Sequence, residues 1–257
     1  MEVSQGTVIV TGATRGIGRA TVEAILERGG KVVAIARSDD GLRALRASAG
    51  DRVRTVVADL ADTGAVPHVA RRAIDAFGMV DGLVNCAGIS RYEPLGAIGL
   101  DSIEAQIGVN LIAPLLLSQA VAEHLRGRGG AIVNVSSTLS EHVARNTMVY
   151  AATKAALNTL TKGLALELAP AGVRVNAVLP GGVATDMLRA PRLRPGETLS
   201  AAALDERVEA QLTALAALHP LGRLGEPREV ATVIIGLLDQ AWQTGSLVTI
   251  DGGLSIA

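Results

Sequence analysis

Seven short runs of β-branched and aliphatic residues alternate with longer stretches of helical periodicity, and this alternation constrains the fold more than any other feature. The runs are Thr7–Thr11, Lys31–Ala36, Arg52–Ala58, Gly82–Asn85, Ala131–Val135, Arg174–Val178 and Leu247–Ile250. Most are continuously apolar, the pattern of strands covered on both faces. Helical patterns fill the intervals: Ile17–Arg28, Gly41–Ser48, Gly64–Phe77, Asp101–Leu125, Tyr150–Ala169 and Arg228–Asp239. Together they predict one doubly wound α/β domain over residues 1–257, a seven-stranded parallel sheet with helices on both faces. One segment breaks the rhythm. Met187–Gly225 is about twice the usual connection length and carries its own helical pattern near Ala201–Leu218, which predicts a lid rather than a disordered insertion.

Composition narrows the function classes. The chain is 49% hydrophobic and 2% aromatic, so its core is expected to be aliphatic, and a net charge of −1 offers nothing to a nucleic acid. No continuous apolar run approaches the roughly 20 residues of a membrane span. A strand beginning at Thr7 leaves no room for a signal peptide. The single cysteine, Cys86, excludes an internal disulfide and a cysteine-based metal cluster, and the scattered His68, His124 and His219 form no metal spacing. A cytoplasmic protein without metal, membrane or nucleic-acid partner is the expectation.

The first run leads into TGATRGIGRA, where Gly12, Gly16 and Gly18 follow a strand and open a helix. Such a turn lets the backbone approach a pyrophosphate whose charge faces the helix N-terminus. A tight turn with no ligand would use the same residues. The second run ends in Arg37 and Ser38, nineteen positions after Gly18, where an NAD site would place an acid for the ribose. A guanidinium there suits a 2′-phosphate, and Arg15 in the glycine turn could reach the same group. Asp39 and Asp40 fall one or two positions late and read as helix N-terminal charges. The cofactor expected is therefore NADP(H).

The chain has two tyrosines and three lysines against twenty-one arginines, yet Tyr150 and Lys154 stand four apart at the head of an apolar helical pattern. Residues at that spacing share a helix face. An ammonium beside a phenol favours the phenolate and lowers its pKa, making the phenol a usable proton donor and acceptor. A half-exposed tyrosine beside a solvated lysine would give the same spacing. Pro114 lies four positions after Asn110 inside a helical pattern, and its missing N–H predicts a carbonyl at residue 110 freed from its helical partner.

TGATRGIG (Thr11–Gly18), ADL (Ala58–Leu60), NCAG (Asn85–Gly88), Asn110, VSS (Val135–Ser137), YAATK (Tyr150–Lys154), PGGVATDM (Pro180–Met187) and DGG (Asp251–Gly253) follow in order. In these motifs the chain resembles the short-chain dehydrogenase/reductase family over essentially its whole length. TGATRGIGRA, PGGVATDM and LGRLGEP also resemble the 3-oxoacyl-[acyl-carrier-protein] reductases within it. The resemblance implies an oxidoreductase that moves a hydride between NADP(H) and a ketone or secondary alcohol. Tyr150 would be the general acid or base, and Ser137 would bond the substrate oxygen. Lys154 would bond the nicotinamide ribose and tune Tyr150, and Asn110 would hold a relay water. Cofactor contacts would come from Gly12, Thr14, Arg15, Gly16, Ile17 and Gly18, and from Arg37 and Ser38. Asp59 and Leu60 would sit by the adenine, Asn85, Cys86, Ala87 and Gly88 along the cofactor, and Pro180, Gly181, Val183 and Thr185 by the nicotinamide. The family usually writes NNAG, so Cys86 is a departure, expected to keep a backbone contact. A homotetramer is also implied, with the helices around Asn110 and Tyr150 at its interfaces.

Substrate contacts are expected from Ser137, Leu139, His142, Asn146, Tyr150, Met187 and Leu188, with Arg91 as a further polar group. Leu139, Met187 and Leu188 form an aliphatic wall, and no aromatic residue in Met187–Gly225 offers a stacking surface. Arg189, Arg192 and Arg194 could receive an anionic handle or be merely solvated. The rival readings are a polyol or sugar dehydrogenase working toward oxidation, and a cofactor-binding regulator without chemistry, against which the intact Asn110, Ser137, Tyr150 and Lys154 set argues.

Overall fold

A computed structural model describes residues 1–193 and 196–257. Among the described residues the strands are β1 (Thr7–Thr11), β2 (Lys31–Ala36), β3 (Val53–Val57), β4 (Gly82–Asn85), β5 (Ala131–Val135), β6 (Arg174–Pro180) and β7 (Leu247–Ile250). They form one parallel sheet in the order β3-β2-β1-β4-β5-β6-β7. The helices are α1 (Gly16–Glu27), α2 (Asp39–Ala49), α3 (Val66–Asp75), α4 (Leu100–Ile107), α5 (Ala113–Leu125), α6 (Met148–Leu168), α7 (Asp186–Arg189), α8 (Ala201–Ala217) and α9 (Pro227–Asp239).

Strand side chains alternate between faces, and the sheet divides the core in two. Val8 and Val10 of β1 join Val22 and Ile25 of α1 and Ile234 and Leu238 of α9. Ile9, between them in sequence, joins Val69 and Ala73 of α3 and Leu117 and Val121 of α5 on the opposite face. This two-sided burial is why the central strands read as continuous apolar runs. The edge strand β7 is only partly covered, and Thr249 within it is exposed.

The expected helix over Asp101–Leu125 is interrupted. Gly108–Ile112 forms a π turn between α4 and α5, with Asn110 in it. The Ala113 N–H bonds back to the Gly108 carbonyl, five residues earlier, and Pro114 follows without an N–H to restore the tighter pattern. Across this turn the helical path Leu100–Leu125 reaches 26 residues, with a mean hydropathy of 1.5 over an 18-residue window within it, enough by length and composition to cross a membrane. Counting only uninterrupted apolar runs missed this. More than half of its apolar window, 56%, is buried inside the protein, as suits a core helix.

Strand order reverses between β1 and β4, so the loops leaving these two strands part and open a crevice at the carboxyl edge of the sheet. Thr11 ties the parted loops together, its Oγ1 accepting from the N–H groups of Cys86 (3.0 Å) and Ala87 (2.9 Å).

Candidate active site

A cleft of about 1570 Å³ fills this crevice and runs from the end of β2 to the segment after β6. Its floor begins with the glycine turn. Gly12 has φ +67°, and a Cβ there would lie 3.0 Å from the Ala87 Cα. A Cβ on Gly18 would lie 2.2 Å from the Gly12 carbonyl oxygen, so only glycine lets α1 pack onto the turn. Helix α1 opens at Arg15 without a side-chain cap, which leaves its first amides to a ligand or to water.

Arg37 and Ser38 stand at the far end of the cleft, where β2 emerges. Arg37 is exposed and has no ion-pair partner among the described residues. Ser38 Oγ caps α2 by accepting from the Gly41 N–H at 3.2 Å. Asp39 and Asp40 occupy the first turn of α2, as expected, and both pair with Arg43. Arg15 reaches across the cleft toward Asp186 at 3.7 Å, an exposed and therefore weak pair.

The middle of the cleft brings Ser137, Tyr150 and Lys154 together. Ser137 follows β5; its Oγ accepts from the Leu139 N–H at 3.1 Å, and its hydroxyl stands close enough to the Tyr150 phenol to bear on its ionisation. Tyr150 and Lys154 lie on the buried face of α6, 8% and 3% exposed. The Lys154 ammonium sits 5.7 Å from the Tyr150 ring centroid and donates to the Val135 carbonyl at 2.8 Å. Burial decides the protonation of both groups. It pushes the Tyr150 phenol up to about 12, with the Ser137 hydroxyl offsetting it only in part. It pulls the Lys154 ammonium down to about 8. The expected lowering of the Tyr150 pKa by Lys154 is therefore corrected for the free protein: desolvation outweighs an ammonium engaged by a carbonyl.

Asn110 stands behind this wall, fully buried. Its Oδ1 accepts from the Ile89 N–H (3.0 Å), and its Nδ2 donates to the Ile89 carbonyl (2.9 Å) and to Thr153 Oγ1 (3.1 Å). With the side chain so committed, only the main chain of residue 110 is left for a relay. Gly88 packs beside both groups: a Cβ there would stand 3.4 Å from Asn110 Oδ1 and 3.6 Å from Lys154 Nζ, at ordinary contact distance.

These observations settle the family. A model of the short chain dehydrogenases matches residues 6–195. The chain belongs to the short-chain dehydrogenase family. It is 40% identical over 250 residues to L-xylulose reductase of Bos taurus, covering 95% of this chain and 94% of that one. It is 37% identical over 258 residues to short-chain reductase protein NovJ of Streptomyces niveus, covering 98% and 95%. Among solved structures it is similar to 3-ketoacyl-(acyl-carrier-protein) reductase from Brucella melitensis complexed with NADH, with a TM-score of 0.85 and 27% identity over 99% of this chain and 100% of that one. The protein is thus an oxidoreductase of carbonyl and alcohol groups.

Within this short-chain dehydrogenase, Gly12, Thr14, Arg15, Gly16, Ile17, Gly18, Asp59, Leu60, Cys86, Ala87, Gly88, Pro180, Gly181, Val183 and Thr185 line the cleft. Asn85 does not. It is buried, and its amide donates to Ser118 Oγ (3.3 Å) and Asn134 Oδ1 (2.9 Å) inside the core. Leu139, His142, Met187 and Leu188 line the substrate end, but Asn146 does not. Asn146 holds a left-handed turn at φ +64°, and its carbonyl accepts from the Glu93 N–H at 2.8 Å. Burial pushes the Cys86 thiol up to about 12, which makes it a poor nucleophile.

Two contributors were not legible in the sequence. Tyr92 lines the wall facing Leu188–Leu193, and the Arg192 guanidinium lies 5.4 Å from its ring centroid, so an aromatic surface meets the substrate end from outside Met187–Gly225. Arg194 lies outside the described residues. His219 is 3% exposed and lines the cleft, with both ring nitrogens bonded.

The buried Lys154 gives a stability prediction. Its pKa falls from the ordinary 10.5 to about 8 on folding, so between these values the unfolded chain binds more protons. Lys154 contributes a rise in stability with pH through that window, opposed above about pH 9 by Cys86, whose thiol is raised from 9.0 to about 12, and below about pH 8 the full Lys154 penalty of about 3 kcal/mol applies. Lys154→Met removes this penalty and leaves the Val135 carbonyl unpaired, which costs about 1–3 kcal/mol. The expected result is a melting temperature at pH 7 equal to or above that of the wild type, with activity lost and the rise in stability between about pH 8 and 9 absent. Thermal unfolding across that pH range checks it, and a large drop in melting temperature at pH 7 would refute it.

Proposed function

We propose that the protein is an NADP(H)-dependent carbonyl reductase acting on ketones and the corresponding secondary alcohols. The observation that carries this reading is the gathering of Ser137, Tyr150 and Lys154 on the wall of one cleft. The uncapped α1 amides, the close approach of glycine backbones and the unpaired Arg37 fit a dinucleotide bearing a 2′-phosphate. When bound, the nicotinamide supplies or accepts the hydride.

The chain's own residues do the rest. Tyr150 gives its proton to the carbonyl oxygen as the C–O π pair moves onto it. Ser137 donates a hydrogen bond to the same oxygen, so charge develops against preorganised donors. A phenol held near pKa 12 is protonated at neutral pH and competent as the acid for reduction. Lys154, pulled to about 8, exchanges protons near neutrality and helps refill the phenol, while a water held by the Asn110 main-chain carbonyl would link Lys154 to bulk solvent. Met187–Gly225 serves as the lid, with Leu139, Met187 and Leu188 as an apolar wall and His142 and Arg91 as polar contacts.

Similarity to L-xylulose reductase favours a second reading, a sugar or polyol substrate, with oxidation of the alcohol as the working direction. A cofactor-binding regulator would not need Ser137, Tyr150 and Lys154 gathered on the cleft. We also assign the protein to the cytoplasm as a homotetramer. Leu115 on α5 and Leu166 on α6, 37% and 79% exposed, support an interface on those helices.

NADPH oxidation measured against β-ketoacyl thioesters, cyclic and aliphatic ketones, diketones and ketoses tests the reading. Turnover with one of these classes is the expected result, and the best substrate separates ketone from sugar chemistry. Tight NADPH binding with no turnover of any carbonyl or alcohol would support the regulator instead.

A further inference from the structure

Helix α8 has no buried residue along its 17 positions, yet the chain leaving it leads to a buried polar side chain, His219. His219 Nδ1 lies 2.8 Å from the Leu215 carbonyl, and the Gly182 N–H points at Nε2 over 3.0 Å. A carbonyl can only accept and an N–H can only donate. The pair therefore fixes the neutral tautomer with the proton on Nδ1. Packing around the ring is close. A Cβ on Gly182 would lie 2.8 Å from His219 Cε1, and His219 Cδ2 lies 3.5 Å from where a Gly252 Cβ would stand.

Gly182 belongs to Pro180–Val183, the loop at the reacting end of the cleft. Its neighbours are tied elsewhere. The Gly181 N–H bonds the Ile250 carbonyl of β7, and the Gly182 carbonyl accepts from the Gly225 N–H at 2.8 Å. The Thr138 and Thr185 hydroxyls donate to the Pro180 and Val183 carbonyls (both 3.3 Å), whereas the Gly182 N–H is given to a side chain from the end of the α8 segment. Gln211, near the middle of α8, instead ties the helix to its own connection, through the Leu188 and Ala190 carbonyls and the Arg192 N–H. His219 is thus the buried polar pin between an otherwise exposed helix and the main chain of the cleft.

We propose that His219 is a positioning residue for hydride transfer: it holds Gly182, and with it the loop Pro180–Val183, in the reacting position only while α8 is docked over the cleft. The inference rests on the reading of this cleft as a nicotinamide site. His219 does no chemistry itself. It makes the geometry of the cofactor loop depend on the segment that covers the substrate.

His219→Leu fills the space but leaves the Gly182 N–H unpaired. His219→Gln can still accept from Gly182 and donate to Leu215. Hydrogen exchange of peptides covering Gly182 and α8, and NADPH and NADH affinity by cofactor fluorescence, are read on each variant alongside kcat and KM. For H219L we expect faster exchange in both peptides, a roughly tenfold loss of cofactor affinity and a lower kcat, with KM for the carbonyl substrate little changed. H219Q should return all of these to within about threefold of the wild type. If H219L does not fold, H219N, too short to span Leu215 and Gly182, is expected to show the same losses. Wild-type exchange at Gly182 and wild-type cofactor affinity in H219L or H219N would overturn the proposal, as would a folded H219Q that rescues nothing. Failure of the wild type to bind either cofactor would instead overturn the reading of the cleft.

Discussion

Tyr150→Phe is expected to lower kcat by about 10³-fold or more while leaving NADPH binding and the fold intact. The variant differs by one oxygen at a site 8% exposed, so the ring keeps its packing on α6. What is lost is the proton donor beside the Ser137 hydroxyl. General acid catalysis and a donor to a developing oxyanion are each worth about two orders of magnitude or more, and here one hydroxyl supplies both. Because burial already opposes ionisation of Tyr150, its removal should cost little stability, and a melting temperature within a few degrees of the wild type is expected. Steady-state kinetics with the best panel substrate, beside cofactor fluorescence, checks this. Retention of more than about a tenth of wild-type kcat would mean that another group carries the proton.

Arg37→Ala is expected to raise KM for NADPH by about 10- to 100-fold and to change KM for NADH by less than about threefold. Arg37 stands exposed where β2 meets the cleft, with no carboxylate among the described residues claiming its guanidinium, while Asp39 and Asp40 are turned to Arg43. Arg15 is held weakly by Asp186, so it can contribute a smaller share when a phosphate competes for it. A second variant, Arg15→Ala, should therefore show a weaker effect in the same direction. Equal losses for NADPH and NADH in Arg37→Ala would remove the basis for preferring the phosphorylated cofactor. The NADH bound in the related Brucella melitensis reductase makes this comparison necessary.

Much of the fold was legible because the sheet is covered on both sides. β1, β2, β4, β5 and β7 occupy the residues expected, and β6 runs two residues further, to Pro180. The helices shift by one or two residues at most of their ends, where main-chain hydrogen bonds rather than side-chain pattern set the boundary. The π turn at Gly108–Ile112 was not legible as such. It leaves the apolar spacing almost unchanged, and only Pro114 signalled that the hydrogen-bond ladder breaks there.

The site was legible wherever a motif fixes a turn or a helix face, as for Gly12, Gly18, Tyr150 and Lys154. It was not legible where partners come from distant segments. His219 meets Gly182 across 37 residues, and Tyr92 meets Arg192 across the mouth of the cleft. No local spacing announces either pair. Asn85 shows the reverse case: it stands in a cofactor motif, but its strand position turns it into the core toward Ser118 and Asn134. The electrostatic expectation for Tyr150 missed for a related reason. Residue spacing reports the neighbouring ammonium, but not the depth of burial that opposes it.

The central claim is that Tyr150 and Ser137 receive a carbonyl oxygen while hydride reaches its carbon. The most direct measurement uses NADPH deuterated at nicotinamide C4, prepared as each of its two epimers, with the best carbonyl of the panel. Mass spectrometry and NMR of the product then locate the label. The account predicts one deuterium on the carbinol carbon from one epimer and none from the other, with no labelled product from Tyr150→Phe on the wild-type timescale. Product alcohol free of deuterium from both epimers, or labelled product formed by Tyr150→Phe at the wild-type rate, would contradict it.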